Sequence, residues 1–101
     1  MYLIVWEFRV KRQQQDAFRS AYGSDGAWIG LFRQAAGYLG SELLVDERDE
    51  RRYLTTDRWS SRAAYEAFRA AWQEDYRALD LACESLTEQE RLVGAFSLVG
   101  D

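Results

Sequence analysis

Seven aromatic side chains stand where their rings could wall a pocket: Trp6, Phe8, Trp59, Tyr65, Phe68, Trp72 and Tyr76. Tyr65, Phe68, Trp72, Tyr76, Leu79 and Cys83 follow one another at steps of three and four, the spacing of a single helix face. Trp and Tyr bring a polar handle with their apolar bulk, so a group of them either fills a core with its N–H and O–H groups satisfied or lines a cavity for a flat aromatic ligand. Arg33, Arg58, Glu7 and Asp57 are the polar side chains that could orient such a ligand; the alternative reading of each is ordinary surface charge.

The residue types that are missing narrow the chemistry. The 101-residue chain has no histidine, which excludes a Ser-His-Asp triad, a His-ligated haem and His-based zinc sites, and leaves Asp, Glu, Lys or Tyr as any general base. Its single cysteine, Cys83, can form no intrachain disulfide and reads as a small buried hydrophobe on a helix. The run Asp46–Arg52 lacks the ligand periodicity and glycine of a calcium loop, so it reads as a solvated hairpin tip, and no metal site is expected. Gly23-Ser24-Asp25-Gly26 follows a helix rather than a strand, which suits capping and not phosphate binding.

These side chains must be positioned by regular elements. Tyr2, Ile4, Trp6, Phe8 and Val10 alternate with Leu3, Val5, Glu7 and Arg9, the period of a strand with one wholly apolar face. Lys11–Tyr22 has the spacing of a helix. A second short helix, capped by Ser24 or Asp25 and carrying Trp28, Ile29 and Phe32, ends near Gly37. Tyr38–Asp46, with Leu39, Ser41, Leu43 and Val45 on one side, and Arg52–Trp59 form an antiparallel hairpin. A helix capped by Ser60 or Ser61 then carries the long aromatic stripe. Thr87 and Glu90 have capping-box spacing for a short helical turn, and Leu92–Val99 is a final strand.

The order is that of an α+β, ferredoxin-like βαββαβ fold: a four-stranded antiparallel sheet with helices on one face, in a single domain over residues 1–101. One sheet face is then bare while carrying Leu3, Val5 and other apolar residues. Each aliphatic side chain buried is worth about 1.5–3 kcal/mol, so a homodimer through the open sheet face is expected. The net charge of −4, and the absence of a basic-aromatic signature on Arg52–Trp59, argue against nucleic acid as a partner. No apolar run approaches the roughly 20 residues that cross a bilayer, and the Tyr2–Trp6 start lacks the flanks of a signal peptide. The expected setting is cytoplasmic, with no membrane partner.

Two stretches carry a resemblance. Tyr22-Gly23-Ser24-Asp25-Gly26-Ala27-Trp28 through Gly37-Tyr38-Leu39-Gly40-Ser41-Glu42-Leu43-Leu44, and Arg52-Tyr53-Leu54-Thr55-Thr56-Asp57-Arg58-Trp59-Ser60-Ser61, resemble the antibiotic biosynthesis monooxygenase family of the dimeric α/β-barrel superfamily. The resemblance implies a dimeric α/β barrel and the oxidation of a small aromatic, phenol-, quinol- or polyketide-like, by molecular oxygen without flavin, haem or metal. The pocket would orient or deprotonate the substrate, whose anion then reduces oxygen. Within that frame Tyr65 or Tyr76 would donate a hydrogen bond to the substrate oxygen and Arg58 or Arg33 would stabilise its anion. Trp6, Trp59, Phe68 and Trp72 would form walls. Many members carry a histidine nine positions beyond the strand-ending tryptophan; Phe68 stands there in this chain, which removes histidine-assisted deprotonation and an axial haem ligand. The alternatives are a non-catalytic, small-ligand-binding or stress-related dimer, and a dimer whose aromatics fill the core completely.

Overall fold

A computed structural model describes residues 1–100. The elements run β1 (Tyr2–Val10), α1 (Gln15–Tyr22), α2 (Ala27–Phe32), β2 (Tyr38–Val45), β3 (Arg52–Trp59), α3 (Arg62–Ala71), α4 (Gln73–Cys83), a 3-10 turn at Glu84–Leu86, and β4 (Thr87–Ser97). The strands form one antiparallel sheet in the order β2-β3-β1-β4. The helices cover one face, which is the ferredoxin-like arrangement. No helix among the described residues is long and apolar enough to cross a membrane.

Alternation on the two central strands sorts the faces. Ile4, Phe8 and Val10 of β1 and Tyr53, Thr55, Asp57 and Trp59 of β3 are buried toward the helices. Two apolar clusters result. One gathers Ile4, Trp28, Phe32, Trp59, Phe68 and Cys83, so Cys83 is the buried hydrophobe its position implied. The other gathers Phe8, Val10, Phe18 and Tyr53.

Four local features depart from the sequence reading. First, α1 starts at Gln15 rather than Lys11, and Gly26, not Ser24 or Asp25, precedes α2.

Second, the aromatic stripe is borne by two helices. Trp72 has φ −116° and ψ 27°, away from helical values, and separates α3 from α4. The break lets Phe68 on α3 and Tyr76 and Cys83 on α4 reach the same cluster. Ser61 is the cap of α3: its Oγ accepts from the Ala64 N–H at 3.0 Å.

Third, Thr87–Glu90 is extended rather than a helical turn, because its backbone pairs with Val10, Arg9 and Phe8. The ladder satisfies a run of β1 groups that a local cap would leave open.

Fourth, Leu39 does not share a face with Ser41, Leu43 and Val45. Tyr38 pairs with Trp59 but Gly40 pairs with Arg58, so Leu39 is an extra residue in a bulge and 55% exposed. Gly40 has φ +142°, a conformation that favours glycine.

The face away from the helices carries Leu3, Val5, Leu44, Leu54 and Phe96 from all four strands. Beside them Glu7 joins Arg52 (2.6 Å) and Arg91 (2.6 Å), and these charge-assisted bonds hold its carboxyl below the usual carboxylate range.

Candidate functional site

A cavity of about 70 Å³ opens between the sheet and α2 and α4. Trp6 and Phe8 of β1, Thr55 and Asp57 of β3, and Ser41 of β2 form its sheet side. Tyr22, Trp28, Ile29 and Phe32 close it from α1 and α2, Tyr76 and Asp80 from α4, and Glu90 from β4. The Trp28 and Tyr76 rings meet edge to face with centroids 5.0 Å apart.

Its chemical centre is Asp57. Strand alternation places this carboxylate in phase with Tyr53 and Trp59, so it faces inward and is only 9% exposed. Two hydroxyls lead to it: Tyr38 Oη donates to Ser41 Oγ at 2.6 Å, and Ser41 Oγ donates to Asp57 Oδ1 at 2.6 Å. Asp57 Oδ2 accepts from no group among the described residues. Burial pushes the Asp57 carboxyl up to about 6, against the opposing influence of the Ser41 hydrogen bond and the Arg58 charge. A carboxylate with that value is poised near neutrality to accept a proton or a hydrogen bond.

Burial also raises the hydroxyls of Tyr76 and Tyr22, so both stay protonated and able to donate at ordinary pH. Glu90, at the edge of the cavity, is raised by burial and by the neighbouring Asp80 and Glu84 charges. The indole N–H of Trp28 is buried without a hydrogen-bond partner.

The side chains singled out from the sequence fall in three places. Trp6, Phe8, Asp57 and Tyr76 line the cavity. Trp59 and Phe68 lie in the adjoining core, where they pack on each other at 5.0 Å, and Trp72 and Tyr65 lie against the same cluster. The Tyr65 hydroxyl accepts from Arg69 Nη1 at 2.9 Å. Arg58 lies on the open sheet face, 3.0 Å from Glu42, and Arg33 is exposed at the end of α2. Glu7 belongs to the open-face network. The structure therefore brings Trp6, Phe8, Tyr76 and Asp57 together and leaves both arginines outside the cavity.

Sequence reasoning did not single out Tyr22, Trp28, Ser41, Asp80 or Glu90 as site residues. Ser41 had a signal: once β2 and β3 are paired, a serine and an aspartate in phase with apolar neighbours are inward-facing polar groups. Among the described residues no group of three or more Cys, Asp or Glu is placed to hold a metal ion.

Comparison with known proteins agrees with this architecture. The family model "Antibiotic biosynthesis monooxygenase" matches residues 1–78. Comparison with curated proteins finds no match. Among solved structures, a mutant of SnoaB, a cofactor-independent oxygenase from Streptomyces nogalater, superposes with a TM-score of 0.82 at 18% identity, over 99% of this chain and 94% of that one. A candidate antibiotic biosynthesis monooxygenase from Deinococcus radiodurans gives 0.79 at 16% identity, over 100% and 95%. Rv0793 from Mycobacterium tuberculosis gives 0.77 at 15% identity, over 99% and 96%. At these identities the structures speak to the fold.

Proposed function

Because the chain belongs to the antibiotic biosynthesis monooxygenase family, we propose that it is a cofactor-independent oxygenase that oxidises a small phenol or quinol with molecular oxygen at the Asp57 cavity. The observation that carries this reading is a buried, hydroxyl-oriented carboxylate facing rings and the Tyr76 hydroxyl in one cavity. SnoaB, described as a cofactor-independent oxygenase, lends support through its shared fold.

In this reading Asp57 Oδ2 takes the substrate's hydroxyl proton and Tyr76 donates to the resulting oxyanion. The anion gives one electron to oxygen, and the substrate radical and superoxide combine at a ring carbon. Loss of water leaves a carbonyl at that carbon, so one oxygen atom enters the product and the other leaves as water. The four electrons that oxygen accepts come from the substrate. A simple phenol, with a pKa near 10, would transfer its proton to Asp57 uphill by about 5 kcal/mol. The site therefore suits phenols or enols acidified by conjugation. The sheet faces of two copies pack together through Leu3, Val5, Leu44, Leu54 and Phe96, an apolar surface that a lone subunit leaves in water.

The test is oxygen uptake by metal-stripped protein over a panel of phenols, quinols and anthrones. Uptake abolished by Asp57→Asn supports the proposal; no uptake across the panel overturns it. One observation favours a second reading, a non-catalytic binding protein: the 70 Å³ cavity lies well below the roughly 300 Å³ of usual ligand pockets. Saturable quenching of tryptophan fluorescence by these compounds, without oxygen uptake, selects that reading.

A further inference from the structure

An oxyanion formed in the cavity needs positive potential close by, and the lining holds none. No lysine or arginine is among its walls, and Asp57 adds negative charge. Arg33 and Arg58, the cations expected to serve, stand outside. Arg69 of α3 comes nearer. Its Cζ lies 3.8 Å from the centroid of the Tyr76 ring, and Tyr76 is a wall of the cavity.

Arg69 also differs from other arginines in how its charge is used. Arg9, Arg51, Arg52, Arg58, Arg62 and Arg91 each pair with a carboxylate. Arg69 enters no ion pair among the described residues; its Nη1 donates to Tyr65 Oη at 2.9 Å while its Cζ rests on Tyr76. Arg19 meets a tyrosine too, but that ring, Tyr53, is outside the lining. The Arg69–Tyr76 contact crosses the break at Trp72 and joins α3 to α4. Trp28 meets the same ring edge to face, so the ring is held from α2 as well as from α3. Of the charged and titratable groups that act on the Tyr76 hydroxyl, Tyr65 on α3, Asp80 on its own helix and Asp57 on β3 disfavour loss of its proton, and Arg69 favours it. When a phenol donates to an anion its ring gains electron density, and a cation on the ring face stabilises that density.

We propose that Arg69 is a positioning residue of this cavity: tethered by Tyr65, it fixes the Tyr76 ring and strengthens the Tyr76 hydroxyl as a donor to the oxyanion of an aromatic ligand. The inference rests on the proposed function in taking Tyr76 as the donor in that cavity, and it adds the source of the positive charge that the lining lacks. Arg69 touches no ligand and acts only through Tyr76.

The probe is 4-nitrophenol, whose phenol and phenolate forms absorb at different wavelengths. The spectrum of the bound compound, taken under nitrogen at one pH with protein in excess, reads its charge without any oxidation. Arg69→Met should lower the phenolate-to-phenol ratio of the bound probe about threefold, a modest effect because the guanidinium is exposed to water. Tyr76→Phe keeps a ring for Arg69 to lie on and removes the hydroxyl; in that background Arg69→Met should leave the ratio unchanged. A merely structural role, or a charge felt directly by the ligand, would lower the ratio equally in both backgrounds. Tyr65→Phe, which removes the tether of Arg69, should give a smaller shift of the same sign, and it decides the matter if Arg69→Met does not fold. An unchanged or higher ratio in either folded variant, an equal loss in both backgrounds, or failure of the parent protein to bind 4-nitrophenol each overturns the inference. The expected ratios with no oxygen uptake across the phenol panel would remove the oxygenase reading and leave this one standing. Oxygen uptake with a ratio indifferent to Arg69 would do the reverse.

Discussion

At the scale of single residues, the buried carboxyl of Asp57 has opposite consequences for stability and for the proposed chemistry. Its carboxyl titrates near 6 in the folded protein and near 3.8 when exposed, so folding favours the protonated form. Below about pH 3.8 both states hold the proton and the group is neutral toward stability. Between 3.8 and 6 the unfolded chain loses the proton first, and stability falls as pH rises. Above 6 the penalty is complete, at most about 3 kcal/mol. Asp57→Asn should therefore raise the melting temperature at pH 7.5 by several degrees, with the gain vanishing near pH 4, while abolishing oxygen uptake. A melting temperature unchanged at both pH values would show that the buried charge costs nothing. In the parent protein kcat/KM should climb through about pH 6 as Asp57 ionises and then level off, in a pH profile recorded with one phenol. In the proposed reaction Tyr76→Phe would remove one hydrogen-bond donor to the developing oxyanion. Its kcat should fall by tenfold or more, the usual scale for such a donor, with the fold unchanged by circular dichroism.

At the scale of elements, the site depends on a bulge. Leu39 is the extra residue in β2, and the shift it causes puts Ser41 opposite Asp57. Gly40 follows it at φ +142°, and a Cβ there would stand 2.9 Å from Arg58 Nη2. Gly40→Ala should destabilise the protein by roughly 1–3 kcal/mol, read from urea unfolding. It should also shift the Asp57 titration by disturbing the Ser41 hydroxyl, which a merely global loss of stability would not do. The same bulge explains why the sequence was legible in some places and not in others. Period-two alternation in β1 and β3 is strict, so their inward faces, Asp57 included, can be read directly. A carboxylate on such a face still resembles surface charge until pairing with β2 supplies its serine. One inserted residue reverses the faces on one side of Leu39, and nothing in Tyr38-Leu39-Gly40 marks where. The steps of three and four run unbroken through Trp72, so the turn between α3 and α4 is invisible to periodicity. Thr87 and Glu90 have capping chemistry that β1, a partner distant in sequence, overrides.

At the scale of the whole molecule, the two sheet faces perform different tasks. The covered face holds the cavity and its buried polar groups. The open face presents Leu3, Val5 and Leu54 on the central strands β1 and β3, with Leu44 and Phe96 toward the edges. Leu44 is 45% exposed and Phe96 49%, values that water penalises in an isolated subunit. The Glu7, Arg52 and Arg91 group is internally neutralised in charge to within one unit, so it need not oppose the approach of a second copy. Val5 lies at the middle of this face, opposite Thr56 on one side and Gly94 on the other. Val5→Glu would bury two further carboxylates inside a face-to-face pair, a cost of several kcal/mol. Sedimentation should therefore give twice the chain mass for the parent protein at micromolar concentration and the single-chain mass for Val5→Glu. Because Val5 points away from the cavity, a folded monomer can be assayed for phenol binding directly by tryptophan fluorescence. Retained binding would place the whole ligand site within one subunit, whereas lost binding would mean that packing of the open faces also sets the walls of the cavity.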